Sequence, residues 1–161
     1  GGREHALAAA IAASPEVLFP GAIYDHDVVN ALRAHSLLYV HGHQVGGTNP
    51  SLVEAMGAGN AVLAHDNRFN RWVAGSGACY FSDVDSIDDR LTRLLADEQE
   101  RHRLGALNLA RAHTVFAWPV VLSHYEQTLS ALHDRATGLD RKRLLPFAGQ
   151  PYQGTNPMDL T

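Results

Sequence analysis

The run His41-Gly42-His43-Gln44-Val45-Gly46-Gly47-Thr48-Asn49-Pro50-Ser51-Leu52-Val53-Glu54-Ala55-Met56 concentrates residue types able to handle a phosphate-bearing ligand. The paired glycines Gly46 and Gly47 let a backbone approach a ligand closely. Asn49 and Pro50 suit a helix start: Asn caps, and Pro tolerates the first helical position because its missing N–H was unpaired anyway. A helix start offers unpaired N–H groups and the positive end of the helix dipole, which together attract an anion. The hydroxyls of Thr48 and Ser51 add donors. Glu54 lies one turn further on. A carboxylate there cannot hold phosphate, but it can accept two hydrogen bonds from a vicinal diol such as that of ribose. The competing account is a glycine-rich turn that caps a buried helix, with Glu54 solvated.

Other candidates flank this run. His41 and His43, two apart on an extended segment, share a face. They are the catalytic candidates, and equally able to contact a ligand or acceptor or to make structural hydrogen bonds. As a metal pair they lack a clear third ligand, so no metal site is expected. His65, Asp66 and Asn67 follow an apolar run and are candidate donor or acceptor contacts, or else a turn held by Asx hydrogen bonds. Tyr24 and Asp25 are candidates for lining a base pocket. Trp72 and Trp118 are expected to pack rather than to stack on sugars. The single cysteine, Cys79, excludes an internal disulfide framework and reads as a small core residue in an apolar run.

Positioning these groups requires alternating elements. Glu4 to Ala13 is helix-prone and stops before Pro15. Val17 to Phe19 is an apolar run closed by Pro20 and Gly21, which predicts a buried strand. Asp25 to His35 carries Val28, Ala31 and Leu32 at helical spacing, with Asp25 or Asp27 as cap. Leu37 to Val40 predicts a second buried strand. After the polar loop, the helix from Asn49 stops at Gly57 to Gly59. Ala61 to Ala64 is a third strand, Asn70 to Ala74 a short helix, and Ala78 to Phe81 a fourth strand. Ser86 with Asp89 resembles a capping box opening a helix, and Glu98 to His113 forms another. A third, with Pro119 near its start, bears Trp118, Val121, Leu122, Tyr125, Leu129 and Leu132 on a broad stripe. The expected organisation is a domain over residues 1–134 and a flexible tail over 135–161, where Gly, Pro, Gln and Asn accumulate. The fold class is α/β: a Rossmann-like parallel sheet with helices on both faces. Such sheets bind ligands beyond the carboxyl ends of their strands.

Bulk properties fit this. The 161 residues are 45% hydrophobic and 19% charged, enough for one domain with its own core. The net charge of −4 is no nucleic-acid footprint, and the only local basic run is Arg141 to Arg143. No stretch reaches the roughly 20 apolar residues that span a bilayer. The chain opens on Gly1, and is expected to be a fragment or a processed form.

From Gly46 to Asn67 the sequence resembles the donor-binding signature of family 4 glycosyltransferases, the retaining enzymes of the GT-B fold. In that signature two Glu separated by seven residues precede a small-residue turn, a strand and an Asp-bearing loop. Glu54, Ala55, Met56, Gly59, Val62, Ala64 and Asp66 occupy the matching places. The form His-Gly-His-x-Val-Gly-Gly-Thr-Asn-Pro-Ser-Leu-Val-Glu-Ala-Met, with Ala64-His65-Asp66-Asn67, looks like the bacterial rhamnosyltransferase-like branch. The resemblance implies transfer of a sugar from a nucleoside diphosphate (dTDP or UDP) to a saccharide acceptor with retention, in surface polysaccharide synthesis. It implies no cofactor and no metal on the diphosphate. Glu54 would hold the ribose, and Gly46 stands where the family's first Glu contacts the sugar. The amides of Gly46 to Asn49, or His41 and His43, would take over those contacts. The family's phosphate-binding Arg and Lys would lie before residue 1, and Arg3 is no convincing substitute. Expected partners are a missing N-terminal domain, and as candidates a second copy of the chain and a membrane surface in the cytoplasm. The rivals are a nucleotide-sugar epimerase on a related fold and a non-catalytic nucleotide-sugar-binding module.

Overall fold

A computed structural model describes Ser14 and residues 16–137. The helix expected over Glu4 to Ala13 and the tail after Thr137 lie outside the described residues. Two units are distinguished, Gly1–Leu32 and Arg33–Thr161. In the first, residues 17–20 form no strand: Val17, Leu18 and Phe19 are all exposed. This corrects the buried strand expected there. An apolar run becomes a strand only when a neighbouring strand takes up its N–H and C=O groups, and none among the described residues does so. Helix α1 (His26–His35) begins there, and Asp25 Oδ1 caps it by accepting from the N–H of Asp27 and Val28.

The second unit is built on a parallel sheet of β1 (Tyr39–His41), β2 (Val62–His65) and β3 (Ala78–Phe81), hydrogen-bonded in that order. The register pairs Val40 with Leu63 and Leu63 with Cys79. Helix α2 (Pro50–Gly57) crosses from β1 to β2, and α3 (Arg68–Ala74) with a 3-10 turn crosses from β2 to β3. Helices α4 (Val84–Ala96), α5 (Glu98–Val115) and α6 (Trp118–Thr137) follow.

Strand alternation sorts the core into two layers. Val62 and Ala64 face one way, with Leu52 and Met56 of α2, Val73 and Ala74 of α3, and Ala112 of α5. Leu63 faces the other way, with Leu94 of α4, Leu104 of α5 and the half-buried Phe81 and Cys79. Both faces are covered, so the chain has the expected Rossmann-like α/β architecture. Trp72 packs edge-on to Phe116, as a core aromatic. Trp118 does not pack: it is 74% exposed, and Leu122, Tyr125, Leu129 and Leu132 are exposed with it.

Local boundaries moved where capping chemistry decided them. Asp83, not Ser86, caps α4; Ser86 sits at its third position, and its Oγ accepts from the Asp83 N–H. The expected Ser86–Asp89 box gives way to an Asp83–Ser86 box, because Asp83, the residue just before the helix, accepts from the Ser86 N–H and so places Ser86 inside the first turn. Asn67 likewise starts α3 before Asn70. No helix among the described residues is long and apolar enough to cross a membrane.

Helix α5 lies tight against the amino edge of the sheet. A Cβ on Gly105 would press into the Gly59 carbonyl oxygen. The buried Asn108 Nδ2 donates to the carbonyls of Asn60 (2.9 Å) and Gly77 (2.8 Å), just ahead of β2 and β3. We expect Gly105→Ala to lower unfolding free energy by about 1–3 kcal/mol in urea titrations, since backbone must yield to the new methyl.

Candidate functional site

The loop from Gly42 to Asn49 leaves the carboxyl end of β1 and is fixed at one point. The His43 carbonyl accepts from Asn67 Nδ2 (3.0 Å) and from Asn70 Nδ2 (2.9 Å). Asn70, buried, also donates to the His65 carbonyl at 2.8 Å. Its carboxamide thus bridges the backbones that follow β1 and end β2. Asn67 does two jobs: its Oδ1 accepts from Phe69 and Asn70 N–H to cap α3, while its Nδ2 holds the loop. Beyond His43 the chain turns outward. Gly46 has φ +127, a backbone conformation that side chains disfavour, although the space around it is open.

A cleft of about 140 Å³ opens between this loop and α3. His43, Gly46, Gly47, Thr48, Asn49 and Asn67 line it, together with Val45, Pro50 and Asn70. Its donors differ from those expected. Pro50 has no N–H, the Ser51 N–H goes to Asn49 Oδ1 (3.1 Å), and Leu52 and Val53 N–H go to the Asn49 carbonyl. Helix α2 therefore satisfies its own start, and the Ser51 hydroxyl is spent on Asn49 Oδ1 at 2.7 Å. The backbone N–H groups of Gly46 to Asn49 have no protein partner among the described residues. They and the Thr48 hydroxyl are the donors left to a ligand.

His41 ends β1, buried, with its ring stacked on His43 at 5.1 Å and 16°. Its Nε2 has no partner among the described residues. Burial, with His43 beside it, holds the His41 pKa below the ordinary 6.5, so the ring is neutral at neutral pH. His65 lies on the opposite face of the sheet, edge-on to Phe81 at 5.6 Å. Asp66 is gripped by Arg71, whose Nη2 donates to Oδ2 at 2.6 Å; that hydrogen bond holds the carboxyl below its usual range. Arg71 also lies 4.5 Å over the Tyr80 ring, and burial pushes the Tyr80 hydroxyl up to about 12. Asp66 is thus taken up by Arg71 and does not line the cleft. Burial raises the Cys79 thiol pKa, as suits a packing residue. Glu54 stands one turn below the cleft wall, and its Oε2 meets Arg33 Nη2 at 2.6 Å. Tyr24 is exposed and Asp25 caps α1, both in the first unit.

Asn70 and Arg33 went unnoticed as site residues. The spacing Asn67-x-x-Asn70 was the available signal for the first; nothing in the local sequence marks Arg33. Among the described residues no group of three or more His, Cys, Asp or Glu is gathered as a metal site would require.

The sequence profile described as Glycosyl transferases group 1 matches residues 2–108, which include every residue of the cleft. The chain belongs to the group 1 glycosyltransferases. No curated protein and no solved structure was found to match it. Substrates of this family are a nucleotide-sugar donor and an acceptor.

Two outcomes are expected. His41 takes up its extra proton at higher pH when unfolded than when folded, so it contributes stability above pH 6.5 that is lost as pH falls through the lower folded value. The Tm difference between wild type and His41→Gln should therefore shrink on acidification from about pH 7.5 to 5.5. Asn70→Ala removes the 2.8 Å donor of the His65 carbonyl, leaving only Asn67 Nδ2 at 3.4 Å, and should cost about 1–3 kcal/mol in denaturant unfolding. Amide exchange in residues 43–49 should quicken.

Proposed function

We propose that this chain is the donor-binding half of a two-domain GT-B glycosyltransferase. It would move a sugar, rhamnose by resemblance, from a dTDP- or UDP-linked donor to a saccharide acceptor with retention. Bacterial surface polysaccharide is the expected product, made in the cytoplasm at the inner face of the membrane. The observation that carries this is the set of unpartnered N–H groups from Gly46 to Asn49, in a cleft walled by His43, Thr48 and Asn67.

These donors suit the two phosphates of the donor. As the bond to the sugar breaks, negative charge grows on the leaving diphosphate, and fixed dipoles aimed at it lower the barrier without having to reorganise. The Thr48 hydroxyl would add a further bond. The exposed His43 would stand at the rim toward sugar or acceptor, and buried His41 would support it from behind by ring stacking. Glu54 would accept from the sugar hydroxyls of the nucleoside. The family's first Glu has no counterpart at Gly46, whose φ of +127 suits glycine alone, so backbone donors would serve the sugar there.

Two surfaces support a missing half. The outer edge of β1 is unpaired among the described residues, and the exposed stripe of α6 is broad enough to need cover. Residues 1–134 would form the domain and 135–161 its tail.

Calorimetric titration of dTDP, UDP and GDP into the full chain tests the proposal. One nucleotide should bind, and Glu54→Ala should weaken it about tenfold, as expected for a lost bond to a charged acceptor. Binding unaffected by Glu54→Ala would remove the ribose assignment. Release of an altered free sugar from the donor without any acceptor would favour the epimerase instead.

A further inference from the structure

We infer that Arg33 is a positioning residue that aims Glu54 at the sugar hydroxyls of the donor nucleotide, an inference that rests on the ribose assignment above. Arg33 Nη2 lies 2.6 Å from Glu54 Oε2. The two side chains differ in exposure: 16% for Arg33 and 55% for Glu54. The guanidinium therefore reaches the carboxylate from the packed side and leaves the other side to solvent. Oε2 is engaged, and Oε1 stays available as an acceptor.

The base of this pair is fixed. The Arg33 carbonyl accepts from Asn60 Nδ2 at 2.7 Å and from Ser36 Oγ at 2.9 Å, and Asn60 is itself buried just before β2. Surface ion pairs usually contribute little, because two long side chains must both be ordered to make them. Here one partner, Arg33, has a mostly buried side chain and so less rotamer freedom to lose. Pro50 and Glu54 are i, i+4 neighbours on α2, so the carboxylate sits on the face whose upper residue lines the cleft. A free glutamate would lose rotamer freedom each time a nucleotide bound; one held by Arg33 loses it on folding. A fixed acceptor also discriminates: it rewards a hydroxyl at one place and nothing when that hydroxyl is missing. The 3′-hydroxyl is the natural target, since ribose and 2′-deoxyribose both carry it.

The test compares UDP with 3′-deoxy-UDP, and dTDP with its 3′-deoxy analogue, by calorimetry on the full chain. Wild type should prefer the 3′-hydroxyl form about tenfold, and Glu54→Gln should erase most of that preference. Arg33→Met should cut the preference at least about threefold while leaving the Kd of the deoxy analogue unchanged, and Arg33→Lys should restore part of it. Equal weakening of both ligands by Arg33→Met would make Arg33 a structural prop and overturn the inference. Full preference in Arg33→Met with loss in Glu54→Gln would overturn it too, while the ribose assignment stood. Should Arg33→Met not fold, Arg33→Gln is read in the same way. Absence of any preference in wild type, unchanged preference in Glu54→Gln, or no binding of either pair would overturn both.

Discussion

Carbonyls at the ends of parallel strands have no ladder partner, and in a packed core such groups must be given a donor. Here a buried carboxamide supplies it at each edge of the sheet. At the amino edge Asn108 donates to Asn60 and Gly77, and at the carboxyl edge Asn70 donates to His43 and His65. The second of these fixes the site. Without Asn70 the loop after β1 would be tied to α3 by Asn67 alone. Fold and site therefore depend on the same few hydrogen bonds.

With His43 pinned, the rest of the loop is free to present its backbone. Asn49 and Pro50 close the start of α2 so completely that the helix contributes its dipole but few N–H groups. The donors come instead from Gly46 to Asn49, ahead of the helix. Glycine at the turn is a condition of this arrangement, because φ +127 at Gly46 strains any L side chain.

The surroundings divide the other ionisable groups into those that face the cleft and those that hold its walls. Asp66 and Arg71 neutralise each other against the Tyr80 ring, and Tyr80 donates to the Gly75 carbonyl. Arg111 closes the end of α3 by donating to Trp72 and Val73 carbonyls. These groups are spent on structure, whereas His43, Thr48 and the backbone of Gly46 to Asn49 line the cleft. Glu54 lies outside the cleft lining, with its Oε2 on Arg33 and its side chain 55% exposed.

Much of the fold was legible in the sequence, because it rests on short-range rules. Apolar runs of strand length, separated by capped helices, placed β1, β2 and β3 within two residues, and Asn49-Pro50 and Ala78 to Phe81 stood where local chemistry put them. The loop of the site was legible for the same reason: glycines before a capped helix are adjacent in the chain. What failed or went unseen depended on partners far away in sequence. Val17 to Phe19 is apolar enough for a strand, but no neighbour among the described residues pairs with it. The exposure of Trp118 depends on what does or does not cover α6. Asn70 meets His43 across 27 positions, and Arg33 meets Glu54 on another helix. The burial of His41 and its lowered pKa come from the packing around the end of β1. The sequence by itself determined most of the elements and the place of the glycine-bearing loop before α2, because those follow from propensity, capping and period. Only the tertiary structure decided which side chains are spent on holding the loop and which remain for a ligand, because hydrogen-bond partners are assigned by distance in space and not by spacing along the chain.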